Sequence, residues 1–211
     1  MPYAIDCRPF VYRFLSLLQE FSNSLILVKS IHAQTITNSV LEDQLLATKL
    51  VRTYCDLGHV GDARLVFVKF SHTRTILCNA MAGGYVRNER YHETLELFKL
   101  MGSGNMEIDN YTCNFALRAC MGLFDYKMGR EVIRRAAEKG LESDPFLESS
   151  IISFLVKFGS IDEARRVFDT MPEKFVVCWE LYDRWVVQAC QSNEAFDLFF
   201  DMRRLGLGRV P

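Results

Sequence analysis

The sequence lacks net charge and long apolar runs. Its 25 Lys and Arg residues are balanced by 26 Asp and Glu residues, which gives a formal net charge of −1. This balance removes any bulk electrostatic argument for nucleic acid or for a membrane surface as partner. The longest N-terminal apolar run, from Phe10 to Leu18, is interrupted by Arg13 and is far shorter than the roughly 20 residues that a membrane helix needs. We therefore expect no membrane partner.

Motifs for metals, cofactors and catalysis are also missing. The 7 cysteines form no Cys-x-x-Cys pair, and no Cys and His residues fall at zinc-ligand spacing. In a chain without a secretory signal, such scattered thiols are expected to be reduced and mostly buried. The 4 histidines have no carboxylate or Cys partner at catalytic spacing. Gly102-Ser-Gly104 lacks the rest of a dinucleotide fingerprint. The sequence thus predicts no metal, no cofactor and no enzymatic activity.

Sustained alternation of apolar and polar residues, which would indicate strands, is absent as well. The sequence instead contains internal repeats. Shifting the chain by about 101 residues superposes its second half on its first, which is the signature of a repeat architecture. Each copy of this unit divides into three shorter repeats. The matched pairs are Asp43 and Asp144, Gly58 and Gly159, Ala63 and Ala164, Phe67 and Phe168, Phe98 and Phe199, and Met101 and Met202.

The spacing within the repeats is helical. Ala164, Phe168 and Met171 fall on one helical face, and charged residues occupy the opposite face. Gly58 and Gly159 precede such helices, where a turn between antiparallel helices needs a permissive residue. We therefore predict an all-α, right-handed α-solenoid of about six helix–turn–helix repeats, or about twelve helices. The recurring phenylalanines Phe67, Phe98, Phe168 and Phe199 are predicted core residues.

The repeats resemble the pentatricopeptide repeat (PPR) family of land plants, in its subclass of alternating long, short and standard motifs, the PLS subfamily. The segments that carry the resemblance are Thr75 to Tyr85 with Glu93 to Met101 for the standard motif, Ser149 to Glu173 for the short motif, and Ala116 to Cys120 for the long motif. After an N-terminal leader (1–10), the predicted repeats are long (11–43), short (44–74), standard (75–109), long (110–144), short (145–175) and standard (176–211).

The resemblance implies binding of single-stranded RNA at roughly one base per repeat. In the family, the fifth residue of a repeat and its last residue contact the base edge. Carried over to this chain, the predicted RNA-binding residues are Asn79, Asp109, Asn114, Asp144, Thr48 and Ser149. The pairs that follow are Asn79 with Asp109, Asn114 with Asp144, Thr48 with Arg74, Ser149 with Phe175, Glu180 with Val210, and Leu15 with Asp43. Asn79 and Asp109 resemble the family's uridine-selective combination, whereas Arg74, Phe175, Glu180 and Val210 depart from its pattern.

The resemblance also implies a plant organelle, with the mitochondrion preferred to the chloroplast, and a monomeric chain. The zinc-deaminase signature is absent from the sequence, so no E or DYW extension is expected. A deaminase or editing factor supplied in trans would then complete RNA editing or processing. Two other interpretations remain open: a protein–protein adaptor, because α-solenoids also offer concave surfaces to peptides, and a truncated, degenerate relative with weak RNA binding.

The basic run Arg130, Arg134, Arg135 and Lys139 is interpreted as a solvated helix face rather than an RNA patch, because acidic residues lie among its members.

Overall fold

The chain is all-helical in the computed structural model, which describes residues 8–40, 42–70, 75–103, 106–141 and 144–171. Within these ranges every regular element is an α-helix, so the all-α prediction is confirmed. The helices are α1 (Arg8–Glu20), α2 (Leu25–Thr37), α3 (Gln44–Asp56), α4 (Val60–Lys69), α5 (Thr75–Arg87), α6 (Tyr91–Ser103), α7 (Asn110–Leu123), α8 (Tyr126–Glu138), α9 (Pro145–Lys157) and α10 (Ile161–Thr170). The helix pair predicted from the last repeat lies outside the described residues.

The described helices form two compact units. The first ends at Leu123 and contains α1 to α7, and the second begins at Phe124 and contains α8 to α10. In the first unit α1, α3, α5 and α7 pack in succession, and α2, α4 and α6 each pack against the odd-numbered helices before and after them. In the second unit α9 packs against α10. A stack of hairpins, each in contact with its neighbours, is the packing of a helical-repeat solenoid.

Aspartates set the starts of several helices. Asp43 accepts a hydrogen bond from the Leu46 amide at 3.0 Å, and Asp144 accepts one from the Leu147 amide at 3.0 Å. Such N-caps satisfy amides that have no partner inside the helix. The helices α3, α5, α7 and α9 begin at the first residue of a predicted repeat. The first helix begins at Arg8, inside the segment predicted to precede the first repeat.

The two predicted glycine turns are confirmed. Gly58 and Gly159 have φ angles of 76° and 74°, values in the left-handed region that glycine adopts without steric cost. After Gly58 the next amide donates to the Tyr54 carbonyl at 2.8 Å, and after Gly159 the next amide donates to the Leu155 carbonyl at 2.9 Å. These main-chain bonds close each hairpin in the Schellman geometry.

Other turns use the same geometry without glycine. Ser39, Glu89 and Phe124 also have positive φ angles, of 54°, 58° and 56°. After Glu89 the following amide donates to the Tyr85 carbonyl at 2.8 Å, as at the glycine turns. The turn is therefore a property of the repeat, and glycine is one of several residues that occupy it.

Glycine allows α3 and α5 to approach closely. A Cβ atom added at Gly84 would lie 2.3 Å from Sγ of Cys55, a distance that real Cβ atoms essentially never show. Asn88 also links α3 to α5. Its Nδ2 donates to the Cys55 carbonyl at 2.9 Å and to the Gly84 carbonyl at 2.8 Å. This contact fixes the spacing of the helices that line the groove described below.

The core contains the predicted phenylalanines. Phe67, Phe98 and Phe168 are buried, which confirms the prediction for these three positions, while Phe199 lies outside the described residues. The described cysteines, Cys55, Cys78, Cys113 and Cys120, are buried thiols, as expected. Burial raises the pKa of the Cys55 thiol to about 11.

In the part of the chain that the structure describes, no helix is long and apolar enough to cross a membrane.

Candidate functional site

Asn79 and Asp109 meet in the first compact unit. Asn79 lies one turn into α5, and Asp109 immediately precedes α7. The Asn79 Nδ2 donates to Oδ2 of Asp109 at 2.7 Å, although 30 residues separate the two. Both side chains are half-buried, so polar edges remain available to a ligand. The structure thus brings together the two members of this predicted pair, while contact with a base stays a prediction.

The Asp109 carboxylate has two roles. Its Oδ1 accepts from the Thr112 amide at 2.8 Å, as an N-cap of α7 does. Its Oδ2 accepts from Asn79. Because the cap holds Oδ1 of Asp109 in place, the position of Oδ2 beside Asn79 is fixed as well.

Thr112 completes a three-residue polar cluster. Its hydroxyl lies 2.7 Å from Oδ1 of Asn79 and 2.8 Å from Oδ1 of Asp109. Only 3% of Thr112 is exposed, so water does not compete well for its hydroxyl. Thr112 lies in the repeat that follows Asn79 and was not predicted from the sequence.

The Asn79–Asp109 pair lies in an open groove of about 650 Å³ in the first unit. The groove follows α5 from its start to its end, with α3 and α7 on the two sides. Its lining residues are Arg52, Asp56, Ile76, Asn79, Ala80, Gly83, Arg87, Asp109, Tyr111 and Phe115. Five of these ten residues, Arg52, Asp56, Asn79, Arg87 and Asp109, carry charged or amide side chains, so the groove is suited to a polar ligand.

Two arginines stand at the end of the groove farther from Asn79. Arg87, on the last turn of α5, pairs with Asp56 at 3.0 Å between Nη2 and Oδ1. Arg52 is exposed and makes no ion pair with another described residue. Exposed guanidinium groups are suited to phosphate because they offer several donors in one plane.

Two exposed apolar side chains flank the polar pair. Ile76 is 59% exposed and Tyr111 is 53% exposed. Each is the second residue of its predicted repeat, and the equivalent residues Tyr12, Leu45 and Phe146 are exposed as well. Apolar side chains are thus exposed at the same position of five successive predicted repeats.

The other predicted RNA-binding residues lie on α3, α7 and α9 or cap α9. Thr48 and Asn114 are each 5% exposed, and the Thr48 hydroxyl has no hydrogen-bond partner among the described residues. The Ser149 hydroxyl donates to the Pro145 carbonyl of its own helix at 2.8 Å. Asn114 belongs to the first unit, and Asp144 caps α9 in the second. Base contacts by these four residues stay predictions.

Two predicted pairs have one member outside the described residues, namely Arg74 and Phe175, and the pair of Glu180 with Val210 lies wholly outside them. For the pair of Leu15 with Asp43, Leu15 is half-buried and Asp43 caps α3.

The basic run on α8 is an ion-paired face. Arg134 bonds to Glu131 at 2.7 Å and also to Glu138, and Arg135 bonds to Glu131 at 2.8 Å. Hydrogen bonds from these two arginines lower the pKa of Glu131 to about 2. Arg130 pairs with Glu163 in the same unit. Because their charges are compensated locally, these arginines offer little field to a nucleic acid.

The functional candidates that sequence reasoning missed are Thr112, Ile76, Tyr111, Arg52 and Arg87. Ile76 and Tyr111 carry a signal that was available, because both occupy the second position of a repeat. The arginines recur at no shared position and reach the groove from different helices. No cluster of three or more His, Cys, Asp or Glu residues in the described ranges could hold a metal ion.

Comparison with known proteins gives the family. A model of the PPR repeat matches residues 76–106, 149–174 and 186–207. Two similar proteins of Arabidopsis thaliana are pentatricopeptide repeat-containing protein At5g59600, which is 31% identical over 84% of this chain and 33% of its own length, and pentatricopeptide repeat-containing protein At2g03880, mitochondrial, which is 30% identical over 95% of this chain and 31% of its own length.

A solved structure shares the fold. The crystal structure of the pentatricopeptide repeat protein PPR10 from maize superposes with a TM-score of 0.62 and 18% identity, over 94% of this chain and 30% of that chain. The repeat matches and the Arabidopsis relatives show that the chain is a PPR repeat protein of the plant PPR family. It spans about a third of the length of these curated relatives.

Proposed function

We propose that this chain binds single-stranded RNA and reads one base with Asn79 and Asp109. The carrying observation is the 2.7 Å bond between the two side chains, which sets an amide and a carboxylate side by side in an open groove. Ile76 and Tyr111 flank the pair and offer apolar surface to the faces of a base. Arg52 and Arg87 line the same groove, and we propose that they contact the sugar–phosphate chain.

The polar pair favours uracil. Asn79 donates one N–H to Asp109, and an amide nitrogen carries a second N–H that can meet a carbonyl of the base. The carboxylate accepts the ring N–H that uracil presents and cytosine lacks. Recognition on the Watson–Crick edge of an unstacked base is how proteins read single-stranded RNA. We therefore infer uridine selectivity at this repeat, in agreement with the resemblance of the pair to the family's uridine-selective combination.

The wider role that we propose is support of RNA editing or processing in a plant organelle. The alternation of predicted long, short and standard repeats favours the PLS subfamily, and a deaminase or editing factor in trans would supply the chemistry. Two of the relatives carry the word mitochondrial in their names, which favours the mitochondrion over the chloroplast. We further propose that the chain acts as a monomer.

The test substitutes Asp109 with Asn and titrates the protein with single-stranded RNAs that differ at one base. An amide in place of the carboxylate can donate to the ring nitrogen of cytosine, so the preference at this base should move from U toward C by about 1 kcal/mol, or roughly fivefold. Asp125→Asn is the matched control, because Asp125 caps α8 through the Met128 amide at 2.9 Å and lies outside the groove.

The outcomes separate the candidate functions. An unchanged U to C ratio with binding retained would show that this pair does not read the base. Absence of salt-dependent retention on single-stranded RNA would favour the adaptor interpretation, because phosphate contacts make RNA binding depend on salt.

A further inference from the structure

We propose that Thr112 is a positioning residue that sets which atoms of the Asn79 amide the base meets. The inference rests on the proposed function, because it concerns the same site. The Thr112 hydroxyl lies 2.7 Å from Oδ1 of Asn79, whereas Nδ2 of Asn79 lies 2.7 Å from the Asp109 carboxylate. Both atoms of the amide group therefore have a partner, and the partners differ in chemistry.

The two partners fix the orientation of the amide. Rotating it by 180° would set Oδ1 of Asn79 against Oδ2 of Asp109, two acceptors without a proton between them. In the observed orientation the Thr112 hydroxyl lies within hydrogen-bond distance of Oδ1 of Asn79 and of Oδ1 of Asp109, so its one proton is shared between these two acceptors. The Nδ2 of Asn79 carries a second N–H besides the one bonded to Asp109. The base then meets an N–H donor beside a carboxylate acceptor.

Capping of α7 does not need the hydroxyl. The equivalent caps at Asp43 and Asp144 bind the amides of Leu46 and Leu147, and leucine has no side-chain donor. The side chain at this position therefore needs no polar group for the helix to start. At Asp109 the corresponding residue carries a hydroxyl, and that hydroxyl contacts Asn79 of the preceding repeat.

Burial makes the hydroxyl effective. Thr112 is 3% exposed, and its β-branched side chain has few rotamers in a helix. If the hydroxyl is removed, Oδ1 of Asn79 loses its donor in a half-buried place, which costs free energy. Without the hydroxyl only the bond from Nδ2 to Asp109 holds the amide, so the orientation of the amide is less tightly fixed. The base then meets a mixture of donor and acceptor, and its selection weakens.

The experiment compares Thr112→Val, which removes the hydroxyl at nearly constant shape, with Thr112→Ser, which keeps it. Competition titrations use the single-stranded RNAs that differ only at the base assigned to Asn79 and Asp109. We expect Thr112→Val to reduce the U over C preference about three- to fivefold, and Thr112→Ser to restore it. Affinity for RNAs altered elsewhere should change less than twofold, and thermal melting curves of both variants verify the fold.

A second readout needs no RNA. Nitrogen–proton NMR spectra of the Asn79 side-chain amide should show a large shift difference between the two Nδ2 protons in the wild type and in Thr112→Ser, because only one of them is bonded to Asp109. In Thr112→Val their shift difference and their protection from exchange should decrease. A Thr112→Val protein with wild-type amide signals and wild-type base preference would overturn the proposal. If the wild type binds no RNA, the proposed function fails, and the amide signals alone then decide whether Thr112 positions Asn79.

Discussion

Asp109 in the first compact unit and Asp144 in the second occupy equivalent places, 35 residues apart, and their surroundings differ. Each caps the next helix through Oδ1, at 2.8 Å to the Thr112 amide and at 3.0 Å to the Leu147 amide. Asp109 also accepts from Asn79. Asp144 lies near Glu148, which is 6% exposed and has one carboxylate oxygen without a hydrogen-bond partner among the described residues.

The comparison of Asp109 with Asp144 indicates that capping a helix and forming the candidate site are two separate roles of an aspartate. The cap follows from the local sequence, since an aspartate before a helix needs only a main-chain amide. The second oxygen of Asp109 accepts from Asn79, which the fold brings to it, and a polar site in the groove results. In the second unit burial, and to a smaller extent the charge of Asp144, raises the pKa of Glu148.

The largest effect that we predict concerns the core of each unit. Phe98 in the first unit and Phe168 in the second are each 2% exposed. Phe98→Ala and Phe168→Ala should each lower the free energy of unfolding by about 3–5 kcal/mol, through lost burial and a residual cavity. Leu65→Ala is the control, because Leu65 is 67% exposed, and its effect should stay below about 0.5 kcal/mol. Urea denaturation measures all three. A loss confined to one unit's variant would show that the two cores are not equivalent.

The second-largest effect that we predict concerns the two capping aspartates, Asp109 and Asp144. Asp109→Ala and Asp144→Ala should each cost about 1 kcal/mol of stability, since each removes a cap. Only Asp109→Ala should also abolish the U preference at the base assigned to Asn79. Thermal unfolding combined with competition titrations tests both statements, and Asp125→Ala serves as the cap-only control. Equal changes of base preference in Asp109→Ala and Asp144→Ala would refute the separation of cap and site.

The sequence predicts the repeating parts of this molecule well. Helical spacing, the turns at Gly58 and Gly159, and the buried Phe67, Phe98 and Phe168 are all visible in it, because each is a local property repeated along the chain. The left-handed conformations of Glu89 and Phe124 could not be predicted, since neither residue type favours them. They follow from the hairpin geometry that their neighbours impose.

The candidate site was only partly predictable. The pairing of Asn79 with Asp109 follows from the repeat register. The contribution of Thr112 and the convergence of Arg52 and Arg87 on the groove depend on how α3, α5 and α7 pack, and that packing is set by contacts such as Gly84 against Cys55. No local pattern in the sequence encodes it.

The two units should respond oppositely to pH. Burial, with a smaller contribution from Lys69, lowers the pKa of His32 in the first unit below its ordinary 6.5. The first unit therefore loses stability as the pH falls from 6.5 through the pKa that His32 has in the folded protein. Burial raises the pKa of Glu148 in the second unit above its ordinary 4.5. The second unit therefore loses stability as the pH rises from 4.5 through the pKa that Glu148 has in the folded protein.

Amide hydrogen exchange measured at several pH values between 4.5 and 6.5 tests this difference. Acidification should speed opening of α2 and α3 and slow opening of α9. Glu148→Gln should raise stability at neutral pH by about 1 kcal/mol and remove the response of α9, and His32→Gln should remove the response of α2. Parallel responses of the two units would contradict the prediction.

The smallest effect concerns the arginines of the groove. Asp56 is exposed and pairs with Arg87, so it competes with phosphate for that guanidinium group. Asp56→Asn should tighten RNA binding about twofold at low salt, because exposed ion pairs contribute only about 0.2–1 kcal/mol. Glu138→Gln on α8 is the matched control, since it removes one of the two acidic partners of Arg134 outside the groove and should leave affinity unchanged. A gain of affinity in both variants would indicate a general charge effect.

The hairpin turns give the molecule a capacity for rearrangement. At Gly58, Glu89 and Gly159 the closing bonds run between main-chain atoms, and their lengths lie between 2.8 and 2.9 Å. No side chain of the groove takes part in them. A gene that recombines within such turns can therefore exchange one helix for its counterpart from another repeat and still encode a closed joint. Tandem duplication followed by this kind of exchange changes the order of the repeats without requiring a new connection.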